Sequence, residues 1–134
     1  MEVINRDIFE GRNAIQELLR RKLPVRNSYQ VAQVSRKFNE VLKDIDIVRR
    51  GLIEKYGTES ERGGKEVKED SENYSKFMAE FDELLNLRIT IVVGRIKIPD
   101  STSAVCDKCG HDMDRKFEIE PWILSALYKF VDVL

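Results

Sequence analysis

One long helix constrains this chain more than any other feature of its sequence. Between Ser28 and Tyr56 the apolar residues are spaced alternately by three and four positions: Val31, Val34, Phe38, Val41, Ile45, Val48 and Leu52. This spacing is the a/d pattern of a helix that presents one apolar seam to its neighbours. Pro24 precedes the helix, and Gly57 stands where a left-handed C′ residue is expected. At about 1.5 Å per residue the helix is about 43 Å long, so the other elements must pack along it.

A shorter helix is predicted before the long one. It begins near Asn5, which can act as its N-cap, and it reaches about Lys22. Gly11 falls on its apolar face, and a glycine in mid-helix costs about 1 kcal/mol relative to alanine. We therefore expect another helix to approach the backbone closely at Gly11. Because the break at residues 23–25 is short, the first two helices should fold back as an antiparallel hairpin.

A third helix is predicted from Glu72 to Asn86, after a charged stretch at residues 58–71 that we interpret as a flexible loop or an extended hairpin tip. One wide face of this helix carries aromatic and aliphatic side chains: Tyr74, Phe77, Met78, Phe81, Leu84 and Leu85. Their spacing of three and four positions is that of an amphipathic helix, and we interpret the face as core rather than as a cofactor site.

The rest of the chain predicts strands and a last helix. Residues 87–98 alternate in β-branched side chains and change parity at Gly94, which indicates a strand with a bulge or a tight turn there. Residues 116–119 can pair back as a second short strand. Pro121 at a first helical position begins an apolar C-terminal helix. The predicted fold class is α+β in a single domain, residues 1–134: an antiparallel helical hairpin with one long helix, a third helix, a small antiparallel sheet and a C-terminal helix.

Composition limits the function classes that fit this chain. Its 134 residues suffice for one domain, and the 42% hydrophobic and 35% charged fractions are those of a globular protein rather than a disordered one. The formal net charge of −1 gives no general attraction to polyanions. Charge follows Met1 at once, and no apolar run approaches the ~20 residues of a membrane helix. We expect a cytoplasmic protein with no membrane association.

The pair Cys106 and Cys109, followed by His111, is the one ligand-like motif. Two cysteines separated by two residues can both bind one tetrahedral Zn²⁺, with His111 as a third ligand. A fourth would have to be Asp112 or Asp114, both poor candidates, or come from a second chain. A reversible disulfide and two idle thiols are the alternatives to zinc.

Basic residues cluster at the tip of the first hairpin, where they suggest contacts with phosphates. The cluster comprises Arg20, Arg21, Lys22 and Arg26. No aromatic residues interleave with it, so nucleic-acid or nucleotide binding is the alternative function rather than the leading one. Catalysis has less support, because the chain has one histidine and no glycine-rich phosphate loop. We expect a protein that is not an enzyme.

The apolar coat of the C-terminal helix predicts a protein interface. Trp122, Tyr128 and Phe130 are its largest side chains, and interface energy concentrates in such residues. Together with the long seam, which the first helix is too short to cover, this surface predicts a homodimer unless the third helix covers the remainder.

Three stretches resemble a family of small proteins encoded in phages and prophages of Gram-positive bacteria. They are residues 1–57, with their Leu23–Val25 break and closing Gly51–Gly57 run, residues 77–85 leading into 96–98, and residues 119–121 followed by 124–127 and Phe130. The cysteine loop departs from the family's pattern. That family has no established activity, so the resemblance implies a phage accessory protein that acts in the host cell cytoplasm by binding a host or phage protein, such as one of an antiviral defence system.

Overall fold

The long helix predicted from the apolar seam is the axis of an α+β fold. The computed structural model describes residues 1–61, 63–98, 101–105, 112–116 and 118–133. The described helices are α1 (Asn5–Leu19), α2 (Val25–Tyr56), α3 (Glu72–Leu85) and α4 (Pro121–Ala126). The described strands are β1 (Glu2–Ile4), β2 (Thr58–Glu59), β3 (Lys65–Glu66), β4 (Arg88–Thr90), β5 (Ile96–Ile98), β6 (Ser101–Val105), β7 (Asp112–Lys116) and β8 (Val131–Val133). The predicted α+β class, with its helical hairpin, long helix, third helix and C-terminal helix, is confirmed.

Both ends of α2 differ from the sequence prediction in detail. The helix begins at Val25, directly after Pro24, whose carbonyl accepts the first helical hydrogen bond from Ser28 N at 2.9 Å. Gly57 ends it, but with φ −80° and ψ 160° in an extended conformation, so the expected left-handed residue is wrong. A Cβ at Gly57 would collide with the carbonyl oxygen of Ile53. Close backbone approach, rather than a positive φ, is therefore what favours glycine here.

The N-cap of α1 lies one residue earlier than predicted. Ile4 is the N-cap, and the Asp7 carboxylate accepts its backbone N–H at 3.1 Å. Asn5 is already helical, so its predicted capping role is wrong. Its buried side chain donates instead to the carbonyl of Leu84 at 2.9 Å, which ties the start of α1 to the end of α3.

The main core lies around the N-terminal half of α2, between α1, β5, α4 and β8. Phe38 of α2 meets Phe130 edge-to-face at 4.8 Å between ring centroids. A Cβ added to Gly11 would lie 3.0 Å from Leu127 Cδ2 and 3.1 Å from Phe38 Cε2. The close approach expected at Gly11 is thus confirmed, with the end of α4 and with α2 as the neighbours.

The final segment is shorter as a helix than the sequence predicted. Helix α4 ends at Ala126, and β8 pairs with β5 in parallel, with Ile96 opposite Val131. The apolar coat is explained by burial within the chain, because Ile123, Leu127 and Phe130 all lie in the core. Phe130 is 1% exposed, so its predicted role as an interface anchor is wrong.

In the ranges that the structure describes, the strands form four two-stranded pairs in place of the single small sheet that was predicted. Strand β1 pairs antiparallel with β4, and residues 91–95, outside any strand, separate β4 from β5. The strand predicted at residues 116–119 is wrong, because β7 ends at Lys116 and pairs with β6, and residues 118–119 lie outside any strand. The charged loop contains the β2–β3 hairpin, whose turn includes Gly63 at φ +83°.

Two glycines in helices test this packing in opposite directions. Gly51 of α2 is exposed with open space around its Cβ position, so Gly51→Ala should stabilise the fold by about 0.5–1 kcal/mol. Gly11→Val should destabilise it by about 1–3 kcal/mol, because the added atoms overlap Leu127 and Phe38. Urea unfolding of both variants measures the difference. Equal effects at the two positions would contradict the close contact at Gly11.

Candidate functional site

Two helices share the length of α2, one after the other. Helix α1 packs against the N-terminal part of α2, where Gly11 approaches Phe38, and α3 packs against the C-terminal part. Near the α2 C-terminus, Lys55 Nζ lies 3.4 Å from Glu80 Oε1, and Asn73 donates to the carbonyl of Tyr56 at 3.4 Å. The start of α1 and the end of α3 therefore meet over the middle of α2.

Polar contacts fix this meeting point. Besides the Asn5 bond to Leu84, the Asn5 backbone N–H donates to the carbonyl of Leu87 at 3.0 Å. Arg6 Nη2 lies 3.3 Å from Asp82 Oδ1, and Arg6 Nε donates to Asn86 Oδ1 at 3.4 Å. The first turn of α1 is thus held to the last turn of α3 by several bonds.

A groove opens where the three helices meet, and we call it the junction groove. It has a volume of about 500 Å³. Its lining is Phe9 and Arg12 from α1, Leu42, Ile45, Asp46 and Arg49 from α2, and Phe77, Met78 and Phe81 from α3. The apolar face of α3 that the sequence analysis interpreted as core therefore lines a groove over part of its length.

The large apolar side chains of α3 in this groove are only partly covered. Leu85 alone is buried in α3, a helix described at every residue, whereas Phe77, Met78 and Phe81 are half-buried. These side chains are incompletely covered because α1 contacts α3 only toward the C-terminal end of α3. Phe81 packs edge-to-face on Phe9 at 5.7 Å and stacks on Phe77 at 6.0 Å, so the three rings form one continuous surface.

Arg12 is held at the edge of this aromatic surface. Its guanidinium carbon lies 3.9 Å from the centroid of the Phe9 ring, and its Nη1 donates to the carbonyl oxygen of Phe9. A cation over an aromatic face is attracted by the electron density of the ring. These two contacts fix the guanidinium in place while leaving other N–H donors for a ligand.

The charges in the junction groove are unequally paired. Asp46 accepts a hydrogen bond from Arg49 Nη2 at 3.3 Å, and Arg50 Nε lies 2.9 Å from its Oδ2 in an ion pair. Among the described residues, no carboxylate lies at salt-bridge distance from Arg12. Asp46 is thus neutralised by two cations, and the lining keeps a positive charge at Arg12.

The basic cluster predicted at the hairpin tip is assembled but partly neutralised. Arg21 donates to both carboxylate oxygens of Glu120 and lies 3.8 Å from Glu17, which also pairs with Arg20 at 3.7 Å. Lys22 and Arg26 are exposed. Arg20 and Arg21, two of the four residues expected to contact phosphates, are therefore already paired with carboxylates of this chain.

The other residues singled out from the sequence lie away from the junction groove. Trp122 is 50% exposed and Tyr128 is 63% exposed, so both are accessible. Cys106, Cys109 and His111 lie outside the described residues, and the zinc hypothesis stays a prediction. Within the described part of the chain, no three His, Cys, Asp or Glu side chains are grouped as metal ligands.

No family model matches the chain, and no curated protein or solved structure matches it either. In the described ranges, no helix has both the length and the apolar character that crossing a bilayer requires.

The ion pair of Arg21 with Glu120 gives a prediction in acid. The hydrogen bond from Arg21 lowers the pKa of the Glu120 carboxyl in the folded state. A lowered pKa means that the pair stabilises the fold above the ordinary pKa of Glu120, and that this contribution is lost as the pH falls through the folded pKa. Arg21→Gln should therefore raise the pKa of Glu120, as measured by NMR titration of its carboxyl. An unchanged pKa would show that the pair does not form in solution.

The contrast between Phe130 and Trp122 gives a second prediction. Phe130→Ala should destabilise the fold by about 3–5 kcal/mol, because it leaves a cavity beside Phe38. Trp122→Ala removes a half-exposed side chain and should cost about 1 kcal/mol or less. Thermal or urea unfolding compares them, and similar losses would place the two residues in equivalent environments, contrary to the structure.

Proposed function

We propose that this protein acts without catalysis, by binding a segment of another protein in the junction groove. The observation that supports this function is the half-buried surface of Phe77, Met78 and Phe81 beside a groove of about 500 Å³. Apolar surface of this kind, left uncovered by the fold itself, is typical of sites that bind partners. Methionine adds adaptability, since its unbranched side chain fits irregular surfaces.

A protein segment suits the junction groove better than a small molecule. Small-molecule sites usually bury about 70–90% of the ligand surface. The residues that line this groove are mostly half-buried rather than enclosed, as expected of an open trough. An amphipathic helix that lays its apolar face into a trough between helices is a common mode of peptide recognition.

The partner that we propose is a host or phage protein in the cytoplasm of a bacterial cell. This part of the proposal depends on the resemblance to small phage and prophage proteins described above. A protein of an antiviral defence system is one such target, and binding without chemistry is sufficient to modulate it.

A charge placed in the groove tests the proposal. Met78→Glu puts a carboxylate among apolar side chains, whereas Ala79→Glu adds the same charge at the exposed neighbouring position of α3. Partners captured from a bacterial host lysate by the unaltered chain should bind Met78→Glu at least about tenfold less tightly, which corresponds to about 1.4 kcal/mol. They should bind Ala79→Glu nearly as well as the unaltered chain.

Circular dichroism and urea unfolding of both variants serve as controls for folding. Partner binding that survives Met78→Glu in a folded protein would contradict the proposed function. Partners that disappear on nuclease treatment would instead favour the nucleic-acid alternative through Lys22 and Arg26.

A further inference from the structure

We propose that the segment bound in the junction groove carries a carboxylate on the same helix face as a bulky apolar side chain, three or four positions away, and that Arg12 binds this carboxylate. The inference depends on the proposed function and adds the chemistry of the partner. It commits to an acidic amphipathic segment rather than a basic or a wholly apolar one.

The first step is the position of Arg12. Its contacts with the ring and the carbonyl of Phe9 hold the guanidinium at the edge of the groove before any partner arrives. Because the guanidinium is planar and already oriented, less side-chain entropy is lost when its free N–H donors bind a carboxylate.

The second step is the balance of charge. The single carboxylate in the groove lining, Asp46, is already bound by Arg49 and Arg50. On α1, the exposed Glu10 carboxylate lies 4.0 Å from Arg6, and no described carboxylate lies at salt-bridge distance from Arg12. A partner carboxylate would therefore meet an uncompensated cation at Arg12, whereas a partner lysine would be repelled by it.

The third step is the neighbourhood of Arg12. The aromatic surface of Phe9, Phe81 and Phe77 begins directly beside the guanidinium, because Arg12 stacks on the first of these rings. Residues three or four positions apart lie on one face of a helix. When one side chain of a helical partner contacts these rings, the residue one turn along the partner therefore comes close to Arg12. The surface therefore selects for an acidic residue three or four positions from a large apolar one.

The experiment is a selection from a displayed library of random peptides of about 16 residues, which is about four helical turns. The full-length chain is the bait, and peptides that also bind the Met78→Glu variant are removed. The remaining, groove-dependent peptides should be enriched in Asp or Glu three or four positions from Phe, Leu, Trp or Met. Fluorescence anisotropy then measures the affinity of individual peptides.

Arg12→Gln should weaken the groove-dependent peptides by about five- to tenfold, as expected for a partly exposed charge-assisted hydrogen bond. Arg36→Gln, which removes an exposed arginine of α2 outside the groove lining, should change affinity by less than about twofold. Replacing the peptide's carboxylate by its amide should weaken binding to the unaltered chain by the same factor and have no further effect on Arg12→Gln. Arg12→Lys keeps the charge without the planar fork and should give an intermediate loss.

The outcomes separate the two proposals. Groove-dependent peptides that lack acidic enrichment, or that bind Arg12→Gln as well as the unaltered chain, would overturn the inference and leave the proposed function standing. A selection without any peptide sensitive to Met78→Glu would contradict both. If light scattering shows a dimer that Met78→Glu dissociates, a second copy of the chain occupies the groove, and the inferred partner segment is wrong.

Discussion

The length of α2 is the constraint on which the rest of the structure depends. Its 32 residues extend about 48 Å, whereas α1 has 15 residues and α3 has 14, which is about 22 Å each. Neither shorter helix can cover the apolar seam of α2, so the two follow one another along it. A junction between them over the middle of α2 is a geometric consequence, and the candidate binding groove lies at that junction.

Local sequence determines the helices, and contacts distant in sequence determine how they meet. Strand β1 pairs with β4 across almost ninety residues, with Val3 opposite Ile89, and this pairing carries the start of α1 to the end of α3. The buried amide of Asn5 then completes the join at Leu84. A buried amide without a hydrogen-bond partner costs free energy. The bond from Asn5 to Leu84 therefore favours this one arrangement of α1 and α3 over others.

Helices α2 and α3 were predictable from the sequence because their apolar residues recur at three and four positions, and Gly11 was predictable because a mid-helix glycine needs a packing reason. The parallel β5–β8 pair was not, because Val131–Val133 continue the apolar character of α4 and only the distant partner Ile96–Ile98 distinguishes strand from helix. The junction groove was missed for a related reason. The aromatic face of α3 was visible in the sequence, but its meeting with Phe9 and Arg12 of α1 depends on the pairing of β1 with β4.

Two aromatic clusters lie along α2 and differ in how far they are buried. In the N-terminal half, Phe38 and Phe130 are fully buried against each other and supply core stability. Over the middle of α2, Phe77 and Phe81 of α3 stack on each other but stay half-buried beside the groove. Because the fold leaves this second pair only partly covered, the pair supports the proposed binding site. Core and candidate binding site therefore lie at different positions along one helix, and substitutions in the groove can change binding without opening the core.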